Sequence, residues 1–279
     1  MIDLHTHTTA SDGSCSPAEL LRLAKEVSLE ALAVTDHDTL AGLPEAQDAA
    51  EELGIEFVPG LELACQSPVG TMHMLAYFID RNNPDLQKLL ADMVRSRRNR
   101  NPRIVAKLSE LGYQMTVAEV QARASSDIVS RLHIALLMVE KGYVRSVDEA
   151  FGRFLGIDGA AYVKRQEPAP AEAIETIHAA GGLAVLAHAV HLQATSEKEL
   201  NRRIEDLADL GLDGLEVWYP EHGARLTAQL WRICNRLDLA AVGGSDFHGN
   251  GKTHIKLGTG RGSLHIPVQI LTLLKARLR

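Results

Sequence analysis

His5-Thr6-His7 sets two imidazoles at positions i and i+2. On an extended strand such residues project from the same face, so both rings can reach one metal ion. An isolated pair of this kind arises often by chance, but here it does not stand alone. Asp12 follows in a Ser-Asp-Gly turn, Asp36-His37-Asp38 closes an apolar run, Glu62 ends another, and His73 lies within a further one. His188 follows Ala184-Val185-Leu186-Ala187, and Asp246-Phe247-His248 follows Ala240 to Gly243. Six of the twelve histidines, together with Asp12, Glu62 and Asp246, thus recur at or near the ends of β-branched or apolar runs. Imidazole mixed with carboxylate suits zinc, manganese or iron, and these nine donors are too many for one tetrahedral ion, so two or three metals are implied. Three divalent cations against the three carboxylates leave a site charge of about +3, and two leave about +1. Either sum favours an anionic substrate. Clustered divalent ions hydrolyse phosphate esters by holding a hydroxide nucleophile, clamping the phosphoryl oxygens and stabilising the leaving oxygen. No side-chain nucleophile is needed, and no G-x-S-x-G elbow or partnered cysteine offers one. Cys65 reads as a core residue.

The elements that must position these groups alternate along most of the chain. Strands are expected at Ile2 to His5, Ala31 to Thr35, Ile55 to Leu63 and Met72 to Ile79, the last able to hairpin back across Ser67-Pro68-Val69-Gly70. Helices fall between them at Pro17 to Val27, with Ser16 as N-cap and Pro at the first helical position, and at Leu40 to Leu53, closed by Gly54. From Asn83 the periodicity becomes helical with almost no strand signal, through Leu111, Ile128 to Lys141 and Val147 to Leu155. Alternation resumes with Ala171 to Ala180, Leu183 to Ala187, Glu197 to Leu210, Gly214 to Trp218, Gly223 to Leu237 and Ala240 to Gly243. The pattern predicts an α/β barrel split by a helical insertion, with barrel segments 1–82 and 167–279 and an insertion at 83–166, joined by the Pro-rich Glu167-Pro168-Ala169-Pro170. In such a barrel the C-terminal strand ends converge on one face, where active sites are built.

Composition bounds the rest. The 279 residues carry 29 Lys and Arg against 36 Asp and Glu, are 46% hydrophobic and 23% charged, and have a formal net charge of -7. Disorder, collagen and coiled coil are excluded, and bulk attraction to nucleic acid or an anionic membrane is disfavoured, so anionic partners must be held by a local patch. Three cysteines with no CxxC pair predict neither a disulfide framework nor a thiolate zinc site. With no basic n-region, apolar h-region or membrane-length stretch, the chain is expected in the cytoplasm, and no stable protein partner is implied.

The segments DLHTHTTASDG, ALAVTDHDT, FVPGLEL, the His73 strand, VLAHA and GGSDFH resemble the polymerase-and-histidinol-phosphatase (PHP) family of metal-dependent phosphoesterases. The resemblance implies a distorted, seven-stranded, TIM-like β/α barrel carrying up to three ions, commonly manganese, zinc or iron. It implies His5, His7, Glu62 and Asp246 around one ion, Glu62, His73 and His188 around a second, and Asp12, His37 and His248 around a third. One departure is Ala189, where relatives often have proline. Within the family, the short form with Ser130-Arg131-Leu132-His133 in a helical insertion resembles the 3′,5′-nucleoside bisphosphate phosphatases. That implies removal of the 3′-phosphate from adenosine 3′,5′-bisphosphate to leave AMP, sometimes alongside 5′-to-3′ trimming of short RNA.

Arg95, Arg97, Arg98, Arg100 and Arg103 crowd one stretch of the insertion, and guanidinium forks suit phosphate oxygens. Arg95 and Arg98 read equally as a solvated helix face. Arg100, Asn101, Ser130, Arg131 and His133 are the expected substrate-binding residues, because the family carries similar residues there. Asp246 or His248 is the expected aid to proton transfer. His178, His254 and His265 receive no role, and His191 and His222 read first as surface or packing residues. Trp218 and Tyr219 suit either base stacking or the core. A 5′-to-3′ exoribonuclease shares the site but needs a groove for following nucleotides. An amidohydrolase usually wants a carboxylated lysine or a simpler His/Asp set, and neither strand end offers a lysine; a non-catalytic metal-binding domain is expected to have lost ligands.

Overall fold

The computed structural model describes residues 1–124 and 128–278. The predicted insertion span includes residues 125–127, which lie outside the described residues. One seven-stranded sheet is ordered β1 (Ile2–Asp3), β2 (Ala31–Val34), β3 (Glu56–Cys65), β4 (Met72–Tyr77), β5 (Leu183–Leu186), β6 (Gly214–Trp218) and β7 (Ala240–Gly243). All neighbours pair in parallel except β4, which is antiparallel to both β3 and β5. The cause is chain length: parallel return needs a crossover of about a dozen residues or more, and the short 66–71 connection permits only a hairpin.

The sheet curls until β1 meets the chain beyond β7. The seam is irregular, made by Leu4 N–H donating to Gly243 O at 3.3 Å, Asp246 N–H to His5 O at 2.8 Å and His7 N–H to Phe247 O at 2.9 Å. Gly244 is required there, since a Cβ would lie 2.2 Å from the His5 Cβ. This seam brings the first and last predicted metal-binding segments side by side, and the result is the α/β barrel that the residue pattern predicts.

Alternation along the strands makes two apolar layers. Leu32, Val34, Leu61, Leu63, Ala184, Leu186, Leu215 and Val217 face the outer helices α1 (Pro17–Glu26) and α2 (Leu43–Leu53), with which they share one buried cluster. Ser16 caps α1 reciprocally with Glu19, as its sequence signals. Ile2, Leu4, Ala31, Ala33, Val58, Leu75, Val185 and Val242 form the second cluster inside.

Between β4 and β5 the insertion opens with α3 (Pro84–Glu110), continues through α4 (Val117–Gln121), α5 (Arg131–Glu140) and α6 (Val147–Ala150), and ends in a π-helical turn at Phe151–Leu155. The first half of α3 buries Leu86, Leu90 and Met93 in the barrel's outer layer, while Ile104, Val105 and Leu108 pack into a cluster of the insertion's own. Helices α7 (Pro170–Ala179), α8 (Glu197–Asp209) and α9 (Ala224–Leu237) complete the outer ring.

A final helix, α10 (Gln269–Lys275), has no counterpart in the sequence reading, because seven residues carry too little periodicity to stand out. Its Ile270, Leu271 and Leu274 join the interior cluster with Ile2, Leu4 and Ile266. Deleting buried methyl groups costs about 3 kcal/mol at such a site. Leu274→Ala therefore lowers the denaturant midpoint by an amount equivalent to about 3 kcal/mol while metal uptake persists.

Candidate metal centre and adjoining arginine cluster

Glu62, at the C-terminal part of β3, is the hub of the site and is 1% exposed. Its Oε2 lies 3.2 Å from His5 Nε2, 3.2 Å from His7 Nε2 and 3.1 Å from His37 Nδ1. Its Oε1 lies 2.7 Å from both His73 Nδ1 and His188 Nε2. Asp246 Oδ1 sits 3.2 Å from His7 Nε2 and 3.5 Å from His5 Nε2, and Asp12 Oδ1 sits 3.3 Å from His248 Nε2. Three donor groups, each with ligand atoms within 4.8 Å of one another, emerge: His5, His7, Glu62 and Asp246; His7, Asp12, His37 and His248; and His37, Glu62 and His73. All nine predicted donors are therefore together. The grouping differs in detail from the one implied by family resemblance: His37 and His7 each serve two groups, and His188 approaches through Glu62 Oε1 alone.

Buried His5 Nε2, both His7 ring nitrogens, His37 Nδ1, His188 Nδ1 and Glu62 Oε2 make no hydrogen bond among the described residues. Buried polar atoms seldom go unpaired, so this concentration of unpaired ring nitrogens and a carboxylate oxygen fits a divalent cation. Electrostatics agree. Burial pushes Glu62 up, but His37, His73 and His5 outweigh it and hold the carboxyl well below its usual range. Burial likewise opposes charge on His7, yet Asp246 and Glu62 raise it to about 9, whereas burial leaves His37 at about 3.

A surrounding layer orients the donors. Glu216, at the centre of β6, accepts from or shares a proton with His5 Nδ1 at 2.9 Å and accepts from the His188 backbone N–H at 2.6 Å. Asp36 accepts from Thr8 N–H at 2.8 Å, Thr8 Oγ1 at 2.6 Å and Ser11 Oγ at 2.5 Å, fixing the Asp12 loop. His188, Asp246 and Asp38 hold positive φ of 23°, 56° and 54°, backbone strain of the kind that collects at functional sites. Asp246 Oδ2 accepts from Lys252 Nζ at 2.5 Å and Tyr219 Oη at 3.0 Å, so its two oxygens face different partners.

Beside this centre the insertion buries arginines. Asp38, adjacent in sequence to His37, accepts from Arg97 Nε at 2.9 Å, Arg165 Nη2 at 3.1 Å and Ala64 N–H at 3.1 Å. Arg165 Nε also donates to Glu167 at 3.0 Å, while its Nη1 is buried without a hydrogen bond. Among the described residues the Arg100 guanidinium donates to Asn101 Oδ1, at 3.1 and 2.8 Å, and burial with Arg97, Arg165 and Arg131 nearby lowers its pKa. Arg131 donates to Leu155 O at 2.9 Å and lies over the Phe151 and Tyr162 rings. Asn101 Nδ2 donates to Val129 O at 2.8 Å. Ser130 Oγ caps α5, and its N–H donates to His133 Nδ1 at 3.0 Å, leaving the other His133 nitrogen outside the cap.

Sequence reasoning passed over Asp38, Arg165, Glu216 and Lys252. For Glu216 a signal existed, a lone acid in the apolar strand Gly214–Trp218. The long-range pairs of Asp38 and Arg165 have no local signal. Arg95 pairs with Asp92 on the exposed face of α3, whereas Arg97 turns inward. Cys65 is buried in the core as read. His178 pairs with Asp213 at 2.7 Å, and Tyr219 is buried against Asp246 while Trp218 contacts Trp231.

The PHP domain profile matches residues 3–161. The chain is 37% identical to a 5′-3′ exoribonuclease of Haemophilus influenzae, covering 88% of this chain and 89% of that protein. It is 31% identical to a 3′,5′-nucleoside bisphosphate phosphatase of Chromobacterium violaceum, covering 90% and 88%. Among solved structures, a Bifidobacterium adolescentis protein assigned as a metal-dependent phosphoesterase superposes with TM-score 0.89 at 31% identity, covering 99% of this chain and 96% of that one. An amidohydrolase from Chromobacterium violaceum, with bound sulfate and no metal, gives 0.89 at 30% identity over the same shares. No helix among the described residues is long and apolar enough to cross a membrane.

Metal that binds only the folded state raises the melting temperature by mass action. Excess Mn²⁺ is expected to raise it, a chelator to reverse the rise, and Glu62→Ala to erase most of it. Because His7 sits near about 9 without metal, uptake releases protons and weakens as pH falls, measurable by titration in a weakly buffered cell. Glu216→Gln is expected to weaken Mn²⁺ about tenfold, the usual effect of losing a group that orients a ligand. Burial pushes Asp38 up, but Arg97 and Arg165 outweigh it and hold the folded carboxyl well below its unfolded value. Its stabilisation is therefore complete above an unfolded pKa of about 4 and is lost as pH falls through the lower folded value. Asp38→Asn should cost about 3 kcal/mol at pH 7, and the gap from wild type should narrow in melts below about pH 4.

Proposed function

The chain belongs to the PHP domain family and is a metal-dependent phosphoesterase, and from that premise we propose that it removes the 3′-phosphate of nucleoside 3′,5′-bisphosphates, such as adenosine 3′,5′-bisphosphate to AMP. The observation that carries this reading is the juxtaposition of a donor set suited to divalent cations and a cluster of buried guanidiniums. One is the nine-donor centre; the other is the cluster of Arg97, Arg100, Arg131 and Arg165, whose carboxylate partners among the described residues are Asp38 and Glu167. A substrate with two phosphates satisfies both.

His5, His7, Asp12, His37, Glu62, His73, His188, Asp246 and His248 would hold two or three ions, manganese foremost, with zinc or iron as alternatives. Bound there, such ions activate water and neutralise charge on the phosphoryl oxygens. Arg100, with Asn101 beside it, and Arg131 grip the distal phosphate. His133 and the N-terminal end of α5, which Ser130 caps, face the same phosphate. Hydrolysis adds a water oxygen to phosphorus and breaks the bond to the 3′-oxygen, which takes up a proton. Asp246 and His248 are the side chains proposed to assist that proton transfer.

A 5′-3′ exoribonuclease reading is favoured by the Haemophilus influenzae relative, and a 5′-phosphorylated RNA end suits the same arginines. Neutralised surface arginines favour the small substrate: Arg95 pairs with Asp92, Arg123 with Glu140 and Arg153 with Glu149. The decisive measurement is phosphate or nucleotide release, with Mn²⁺, from adenosine 3′,5′-bisphosphate, AMP, 3′-AMP and a short 5′-phosphorylated RNA. The bisphosphate is expected to be preferred, with Arg131→Ala lowering kcat/KM about 10- to 100-fold on it, the worth of a charged hydrogen bond, and little on 3′-AMP. Preference for the RNA would establish the nuclease instead.

A further inference from the structure

Lys252 is the one ammonium that reaches the metal-facing carboxylates among the described residues. Its Nζ is 2.5 Å from Asp246 Oδ2, and the other oxygen of that carboxylate stands 3.2 Å from His7 Nε2 and 3.5 Å from His5 Nε2. The ammonium is thus one carboxylate away from the atoms that would grip a metal.

Its approach is built by the fold. The 3₁₀ turn Gly249–Lys252 starts directly after His248, and Gly249 adopts φ of 63°. Ser14 Oγ accepts from Asn250 N–H at 2.9 Å, and a Cβ on Gly249 would fall 2.1 Å from that same oxygen. Gly251 lies against Leu132 of α5, and Ile255 N–H donates to Lys252 O at 2.9 Å. The turn is therefore clamped between the Asp12 loop and the insertion, and it aims the lysine inward. His248 and His191 face the ammonium from neighbouring segments, and Tyr219 shares Asp246 Oδ2 with it.

A lysine ammonium has three donors. One is used by Asp246, and among the described residues the other two have no protein partner; the side chain remains 33% exposed. Were its only purpose to neutralise Asp246, Tyr219 and the neighbouring imidazoles already crowd that carboxylate. Lys252 thus keeps two spare donors beside Asp246, whose other oxygen stands among the metal-site histidines.

We propose that Lys252 is a catalytic residue that donates hydrogen bonds to a non-bridging oxygen of the transferring phosphoryl group, using Asp246 Oδ2 as its anchor. Asp246 keeps Oδ1 for the metal side. The contact adds a fixed positive charge where negative charge builds as the ester bond breaks, and no bond to lysine is made. It rests only on the phosphoesterase activity and holds whichever phosphate ester is preferred.

The test compares Lys252→Met and Lys252→Arg with wild type on the best phosphate ester, at saturating Mn²⁺. Mn²⁺ affinity by electron paramagnetic resonance, metal-free melting temperature, and inhibition by inorganic phosphate are measured alongside. Lys252→Met is expected to lose about 30- to 300-fold in kcat and to bind inorganic phosphate more weakly, with Mn²⁺ affinity and melting unchanged. Lys252→Arg, which keeps a cation in place, recovers part of the loss and serves as the folded comparison should the methionine variant melt early. Turnover within threefold of wild type in a folded, Mn²⁺-loaded Lys252→Met overturns the proposal. So does a loss that disappears when Mn²⁺ is raised above the level that saturates wild type, since Lys252 would then act only by holding Asp246.

Discussion

One carboxylate faces five imidazoles: Glu62 receives His5, His7 and His37 on one oxygen and His73 and His188 on the other. Burying one carboxylate is costly, and burying it beside imidazole nitrogens left without hydrogen-bond partners is costlier unless a cation completes the group. The rest of the barrel mouth answers to that constraint. His5 and Asp246 come from opposite ends of the chain and meet only because the β1–β7 seam is closed by backbone hydrogen bonds over a glycine. His73 reaches Glu62 because β4 turns back antiparallel on β3. Glu216 fixes His5 through its ring and His188 through its backbone, so two donors share one support.

Asp38 carries the same constraint into the insertion. Its neighbour His37 belongs to the metal centre, and its own carboxylate is the counter-ion of Arg97, from α3, and Arg165, from the returning strand of chain. Both ends of the insertion thus fasten to one residue of the metal loop. A helical unit with its own apolar cluster could otherwise rock on the barrel, since the apolar contacts of α3 lie in separate barrel and insertion halves. The pair also keeps Asp38 charged, while among the described residues Arg100 donates to Asn101 and Arg131 to the Leu155 carbonyl, not to a carboxylate.

The donors were legible in the sequence because a barrel puts strand ends on one face, and a histidine or acid after each apolar run is visible without knowing the fold. Ser16, Pro17 and Gly54 likewise announced helix ends by local chemistry. What was not legible depends on contacts distant in sequence. Asp38 and Arg165 are 127 residues apart, and nothing near either one names the other. Arg97 and Arg95 look alike in the arginine run, yet one is buried on Asp38 and the other lies exposed beside Asp92, a difference set by the face of α3. Lys252 follows His248 by only four positions, but its inward aim comes from the Ser14 clamp on the turn, which no spacing rule records. The short helix α10 escaped because its role as a plug for the interior comes from Ile2, Leu4 and Ile266, not from its own pattern.

A chain of net charge -7 can still attract a doubly charged anion, because the relevant charges are local. Surface acids are screened by salt beyond about 8 Å, whereas buried guanidiniums and a metal cluster act at short range in a poorly polarisable interior. In the proposed function, a metal-loaded centre and the arginine cluster, joined through His37 and Asp38, would favour a ligand whose phosphates are fixed at a set separation, as across a ribose. A monophosphate engages one site and leaves the other's desolvated cations unmatched. Binding energy from the distal phosphate then becomes available to hold the reacting phosphate in place, which raises turnover more than it tightens the ground state. On this reading the insertion supplies substrate choice, while the barrel mouth supplies chemistry common to the family.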